Sequence, residues 1–93
     1  LLSLSPEQKL LVKTLERAIR DLNDRDEEVR KRALVYVGTT DVERLCEKNE
    51  LGPRVGSKYL EIIYKIASED VGVRRKKAVI DGVRELREAI IDS

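Results

Sequence analysis

Apolar residues recur at intervals of three and four along most of the chain, and this spacing predicts helices. In the first such segment it places one set of side chains on a single face: Leu11, Leu15, Ala18, Ile19 and Leu22. The alternation of period two that would indicate strands is absent from the Val- and Ile-rich stretches 34–37 and 60–66. The pattern predicts five helices, over about 6–22, 26–37, 41–49, 53–67 and 71–91.

Residues suited to helix ends support these boundaries. Ser5 and Gln8 have the spacing of a capping box, and Pro6 suits the first helical position. Gly82 lies inside the last predicted helix, where glycine costs up to about 1 kcal/mol of helix propensity, so we expect a close helix crossing there. The other expected boundary residues are an N-cap at Asp26, a glycine stop at Gly38, a capping box over 40–43 and a proline start at Pro53, with Lys58 as a later alternative.

Length and composition limit the classes of protein that fit. The chain has 93 residues, 41% of them hydrophobic and 40% charged, which predicts a single all-α domain over 1–93. Nineteen basic and eighteen acidic residues give a net charge of +1, which excludes a uniformly basic surface but not a local patch. No apolar run approaches the roughly 20 residues needed to cross a bilayer, so no membrane association is expected. The single cysteine favours the reducing cytoplasm, and the dense Lys, Arg and Glu content is typical of thermophile proteins.

Two junctions between predicted helices share an acidic turn followed by a basic helix start. The first runs DRDEEVRKRA over 24–33 and the second SEDVGVRRKKA over 68–78, so that Ala33 and Ala78 stand 45 residues apart. The pattern resembles a pair of HEAT repeats, whose period is roughly 40–47 residues. The second copy departs from it, because Val73 precedes Ala78 by five residues instead of four. The resemblance implies a HEAT-like bundle of stacked helix pairs; the alternative is an irregular, orthogonal five-helix bundle whose acidic turns are ordinary caps.

The segment 42–60 resembles a helix-turn-helix that reads DNA. Apolar residues fall where that motif places them: Leu45, Cys46, Leu51, Tyr59 and Leu60. The resemblance implies that Arg54, Ser57 and Lys58, at the start of the second helix, would contact bases or phosphates. Glu50 replaces the usual turn glycine, and Gly56 stands where the motif has a buried branched residue. The alternative is two packed helices joined by a Gly-Pro turn.

A run of four basic residues, Arg74, Arg75, Lys76 and Lys77, opens the last predicted helix. Each residue turns the helix by ~100°, so the run wraps the helix and cannot lie on one face. Its members could contact phosphates or a partner, and binding would then weaken steeply with salt. The alternative interpretation is a solvated first turn that pairs with Glu69, Asp70 and Asp81.

The residue types offer little for catalysis. The chain has no histidine, which is the usual general base and metal ligand near neutral pH. Cys46 lies on the inner side of its helix, where it is expected to be a small buried apolar residue. Asp24, Asp26 and Glu28 lack the glycine and distal glutamate of a calcium-binding loop, so cap roles are expected for them. We therefore predict no catalytic, metal-binding or cofactor-binding residue, and no cofactor.

The sequence predicts a non-enzymatic helical module that binds a larger protein as an accessory subunit, within an assembly that could handle DNA. Two repeats are fewer than the roughly three usually needed to bury a continuous core, so such a piece should depend on a partner, on a second copy of itself in a homodimer, or on the extra third helix. The alternative prediction is a helix-turn-helix DNA-binding protein that uses the third and fourth helices.

Overall fold

The computed structural model describes residues 3–92, and that part of the chain forms five α-helices and no β-strand. The predicted all-α, five-helix bundle is confirmed. In chain order the helices are α1 (Pro6–Asp21), α2 (Glu27–Thr39), α3 (Val42–Lys48), α4 (Val55–Ala67) and α5 (Val73–Ile91).

Helix α4 lies at the centre of the bundle and packs against α3 and α5, while α1 packs against α2 and α5. Every apolar residue predicted for the inner face of α4 is buried: Val55, Tyr59, Ile62, Ile63 and Ile66. The Tyr59 side chain is fully buried, and its hydroxyl donates to the backbone oxygen of Leu15 over 3.0 Å. This hydrogen bond joins α4 to α1 and satisfies a polar group that burial would otherwise make costly.

Two predicted N-terminal caps are confirmed. The Ser5 hydroxyl accepts from the Gln8 amide over 3.1 Å, and Gln8 Oε1 accepts from the Ser5 amide over 2.9 Å. Gln8 Nε2 also donates to the Asn49 backbone oxygen over 2.9 Å, which ties the start of α1 to the end of α3. Asp26 caps α2 by accepting from the Glu28 amide over 2.9 Å.

Most of the predicted helix bounds differ from the structure by one or two residues; the last helix, for example, is predicted from about 71 and begins at Val73. Gly38 does not end α2, which continues to Thr39 before Thr40 becomes extended. The residue that caps α3 is Asp41, whose carboxylate accepts from the Arg44 amide over 3.1 Å, so the expected capping box over 40–43 does not form. Pro53 lies in a turn and α4 begins at Val55, a start between the two expected ones. The chain reverses just before it, where Glu50 and Gly52 have positive φ values of 56° and 112°.

Two glycines allow neighbouring helices to approach α4 closely. A Cβ atom added to Gly82 of α5 would lie 2.6 Å from Ile62 Cγ2, which confirms the predicted crossing. Gly56 marks a second close approach, which the sequence pattern does not predict. A Cβ atom added there would lie 2.6 Å from Glu43 Cα, so α3 and α4 are in contact at the backbone.

Arginine side chains close the turns that precede α2 and α5. Arg30 Nη1 donates to the backbone oxygens of Asp24 and Arg25 over 2.6 and 3.0 Å. Arg75 Nε donates to the Glu69 backbone oxygen over 2.8 Å. Each arginine therefore bonds to the carbonyl six residues before it, and the two arginines are 45 residues apart.

Replacement of single helical glycines by alanine should separate helix propensity from packing. Gly38→Ala has open space around the new methyl group and should raise the free energy of unfolding by up to about 1 kcal/mol. Gly56→Ala and Gly82→Ala add the same methyl group against a neighbouring helix and should lower it by about 1–3 kcal/mol. Denaturant unfolding measures all three. Unfolding of the Gly56 variant at a higher denaturant concentration than the unchanged protein would contradict this packing.

Candidate binding surfaces

The predicted DNA-reading residues lie at the start of α4 beside the end of α5. The Arg54 side chain makes no capping bond, and the Ser57 hydroxyl donates to the Arg54 backbone oxygen over 3.2 Å. Lys58 Nζ lies 3.5 Å from a carboxylate oxygen of Glu85 on α5. The residues that line the two grooves here form what we call the α4 surface: Arg54, Ser57, Lys58, Leu60, Glu61, Tyr64, Lys65, Glu85, Glu88, Ala89 and Asp92.

The α4 surface carries more negative than positive charge. Its four acidic and three basic side chains give a net charge of −1. Lys58 is half-buried and already paired, and Glu61 lies between the predicted contact residues and Tyr64 on the outer side of α4. DNA phosphates would meet these acids at short range, so the local electrostatics oppose the groove-reading role that the helix-turn-helix resemblance implies.

The four basic side chains at the start of α5 have different surroundings. Arg75 turns inward and donates to the backbone oxygens of Leu22, Glu69 and Ala67 over 2.8, 2.8 and 3.4 Å. Lys77 Nζ forms an ion pair with Asp81 over 3.0 Å. That interaction, followed by the Coulomb attraction of Lys77 and Arg84, lowers the pKa of the Asp81 carboxyl. Arg74 and Lys76 remain exposed.

The two groups of predicted contact residues do not form one surface. The end of α5 lies beside the start of α4, as the Lys58–Glu85 pair shows, so the start of α5 lies beside the other end of α4. Thirteen residues of helix α4 separate these ends by about 20 Å. A single ligand at Arg54 and Lys58 would therefore not reach the basic run without spanning the length of the helix pair.

A basic and apolar surface, which no pattern in the sequence predicts, lies between α1 and α5. We call it the α1–α5 surface and define it by the residues that line its two grooves. The first groove lies between the start of α1 and the end of α5, with Leu4, Lys9, Val12, Lys13, Glu16, Arg87, Ile90 and Ile91. The second lies at the opposite ends of the same helices, with Arg20, Asn23, Asp24, Arg25, Lys76, Val79 and Ile80.

The α1–α5 surface concentrates positive charge in a chain that is nearly neutral. Six basic and two acidic side chains line its grooves, a net charge of +4 where the whole chain has +1. Lys9, Lys13, Arg25 and Lys76 form no ion pair with any residue in the part of the chain that the structure describes. The α4 surface has a net charge of −1, so the two surfaces carry net charges of opposite sign.

An ion-pair cluster connects the two grooves of the α1–α5 surface. Glu16 is buried, and its oxygens accept from Arg87 Nε and Nη2 over 2.9 and 3.1 Å. Arg20 Nη1 lies 3.6 Å from the same carboxylate on the side of the second groove. The contact with Glu16 raises the pKa of the Arg87 guanidinium. Because two arginines neutralise Glu16, this buried acid does not cancel the positive charge of the lysines around it.

The remaining chemistry is sparse. Cys46 is 1% exposed, and desolvation by burial raises the pKa of its thiol to about 11. Across residues 3–92 there is no group of three or more His, Cys, Asp or Glu side chains placed to hold a metal ion. No helix in that range combines the length and apolar character needed to cross a membrane.

The residues of the α1–α5 surface form patterns in the sequence, but these can be recognised as one surface only once the helix pairing is known. Lys9 and Lys13 lie one turn apart on α1, and Ile80, Arg87 and Ile91 share one side of α5 by their spacing. Each pattern alone is typical of an ordinary solvated helix face. Their combination into one surface depends on the contact between the first and last helices, which local spacing does not encode.

Comparisons with protein-family models, with curated proteins and with solved structures each gave no significant match to this chain.

Neighbouring arginines at the start of α5 should differ sharply in their effect on stability. Arg75→Ala removes hydrogen bonds from a charged donor to three backbone oxygens and should lower the free energy of unfolding by about 1–2 kcal/mol. Arg74→Ala removes an exposed charge and should change it by less than about 0.5 kcal/mol. Thermal or denaturant unfolding measures both variants. Equal effects would show that Arg75 does not hold the turn.

The Cys46 thiol should react slowly in the folded protein. With a pKa of about 11, its reactive thiolate is a roughly hundredfold smaller fraction at pH 8 than that of an ordinary cysteine. A colourimetric disulfide reagent should therefore label the folded chain at least that much more slowly than the chain unfolded in guanidinium, which serves as the control. Comparable rates in the two states would contradict the burial of α3 against the core.

Proposed function

We propose that this protein is a non-enzymatic protein-binding module, an accessory subunit that binds a larger protein through its α1–α5 surface. The observation that carries the proposal is the combination on one surface of exposed isoleucines with cations that have no ion-pair partner. Ile91 is 64% exposed and Ile80 58% exposed. Removal of such apolar area from water favours association, and unpaired charges give it direction and specificity.

The HEAT-like organisation remains part of this proposal. The equivalent roles of Arg30 and Arg75, 45 residues apart, support a repeated turn-and-helix unit. They also suggest a register for the repeat: Arg75 matches Arg30, which leaves Ala78 matched to Ala33 without the one-residue shift seen in the valines. A molecule with only two such units has uncovered helix faces, which favours a role within a larger assembly.

We propose a non-enzymatic role because the residue types and their surroundings offer no catalytic group. The chain has no histidine, and its one thiol is buried and protonated at neutral pH. Asp81, the carboxyl with a lowered pKa, is paired to basic neighbours and is thus a poor proton acceptor.

The second candidate function is the helix-turn-helix alternative. Its support is the close packing of α3 against α4 at Gly56, which gives the two helices of such a unit a rigid contact. Against it stands the negative charge of the α4 surface described above. A DNA-handling assembly remains compatible with the first candidate, with the larger partner making the DNA contacts.

Affinity capture and DNA titration together test the proposed function. The tagged full chain should capture one stoichiometric partner from native lysate, and Lys9→Glu/Lys13→Glu should reduce that capture. Its affinity for duplex DNA should not exceed the weak non-specific level of roughly 10⁻⁴–10⁻⁶ M at physiological salt. Tight, sequence-specific duplex binding that Arg54→Ala or Lys58→Ala weakens, together with no captured partner, would favour the helix-turn-helix alternative.

A further inference from the structure

The apolar residues of the α1–α5 surface form a track along the helices, which Arg87 and its ion pair with Glu16 interrupt between Ile80 and Ile91. Ile80 and Ile91 are eleven residues, or about three turns, apart on α5, so they lie on the same side of that helix about 17 Å from each other. Leu4 and Val12 flank the Ile91 end from the α1 side, and Val79 lies beside Ile80. A ligand that covers both ends of this track must present apolar groups about three helical turns apart, on either side of the Arg87–Glu16 pair.

Unpaired lysines lie beside this track at both of its ends. Lys9 and Lys13 lie on successive turns of α1, and Lys76 lies at the start of α5 beside the second groove. None of the three pairs with an acid among residues 3–92, although several other surface cations of the chain do. The complementary ligand therefore carries acidic groups beside its apolar residues near both of its ends.

The shape of the surface favours a helix as its ligand. The grooves follow two antiparallel helices from Lys76 to Ile91, a distance of about 22 Å that matches about 15 residues of helix. Side chains of a third helix can pack between those of two paired helices. Within residues 3–92 there is no strand whose edge could pair with an extended peptide, so recognition by strand addition is not available here.

Nucleic acid fits this surface less well than a protein segment. Phosphates would use the lysines but would place a polar backbone over Ile80 and Ile91. Base stacking needs exposed aromatic side chains, and none of the three tyrosines, Tyr36, Tyr59 and Tyr64, lines these grooves. Positive charge and apolar area together select an acidic amphipathic polypeptide over a polyanion that offers charge alone.

We infer that the α1–α5 surface binds an acidic amphipathic helix of the partner protein, laid lengthwise along α1 and α5. Its apolar residues, at spacings of three, four and seven, cover the track from Val12 and Ile91 to Ile80. Its Asp and Glu residues lie beside those apolar residues and pair with Lys9 and Lys13 near the Ile91 end and with Lys76 near the Ile80 end. The inference rests on the proposed function, since it specifies what the protein-binding surface recognises.

Two synthetic peptides of about 18 residues provide the probes. The first carries leucines at helical spacing flanked by glutamates, and the second has the same leucines with lysine at every glutamate position. Fluorescence anisotropy with the full chain measures binding of each, and a short DNA duplex serves as a competitor. The acidic peptide should bind, the basic peptide should bind at least roughly tenfold more weakly, and the duplex should not displace the acidic peptide at equal concentration.

Charge-reversal variants locate the binding. Lys9→Glu/Lys13→Glu should weaken acidic-peptide binding by roughly tenfold or more, equivalent to about 1.4 kcal/mol. Lys48→Glu/Lys65→Glu changes the net charge equally at exposed positions outside the surface and should have a small effect. Ile91→Ser should also weaken binding without a change in charge. Sedimentation of the free chain should show no self-association through this surface.

Each opposite result overturns the inference. These are an acidic peptide that does not bind, equal effects of the two double variants, displacement by the duplex, and a dimer that Lys9→Glu/Lys13→Glu dissociates. The last two would assign the surface to nucleic acid and to a second copy, respectively. If a partner is captured but the acidic peptide does not bind, this inference is refuted and the proposed function stands. If the peptide binds but no partner is captured, the accessory-subunit role is refuted.

Discussion

The close approach of α3 and α5 to α4 is the constraint on which the rest of the structure depends. Glycines at the two crossings, Gly56 and Gly82, leave no room for even a methyl group. With its neighbours at this distance, α4 buries all of its inner side chains, including Tyr59, whose hydroxyl bonds to α1. The bundle therefore forms around one helix, and the α1–α2 pair attaches to it through α1. A short chain achieves a continuous core in this way because little volume is lost between helices.

That packing also determines how charge is distributed. With α4 on one side of α5 and α1 on the other, the two edges of α5 belong to different surfaces. Glu85, Glu88 and Asp92 lie with the α4 surface, and Lys76 and Arg87 lie with the α1–α5 surface. A single helix of alternating charges thus supplies acids to one side of the molecule and bases to the other. The net charge of +1 conceals this separation, because it sums +4 on the α1–α5 surface, −1 on the α4 surface and −2 on the rest of the chain.

The number of helices, their order and the inner residues of α4 were predictable from sequence, because apolar spacing reports directly which side of a helix is buried. Caps were predictable where one side chain dominates, as at Ser5 and Asp26. Prediction failed at Gly38 and Pro53, where residue preference is weaker than the backbone path imposed by packing of the next helix. Gly56 was noted as a departure from the helix-turn-helix pattern, but its contact with Glu43 required knowledge of the tertiary structure.

The candidate site was less predictable than the fold, and the basic run shows why. A run of basic residues in the sequence suggests one basic site. Consecutive residues of a helix point in different directions, however, so Arg75 closes a turn while Lys77 pairs with Asp81. The α1–α5 surface draws its unpaired cations from positions far apart in the chain, such as Lys9 and Lys76. Within residues 3–92, cations without an ion pair also occur elsewhere, as at Arg44 and Lys48, so what distinguishes this surface is their position beside exposed isoleucines, which depends on which helices meet.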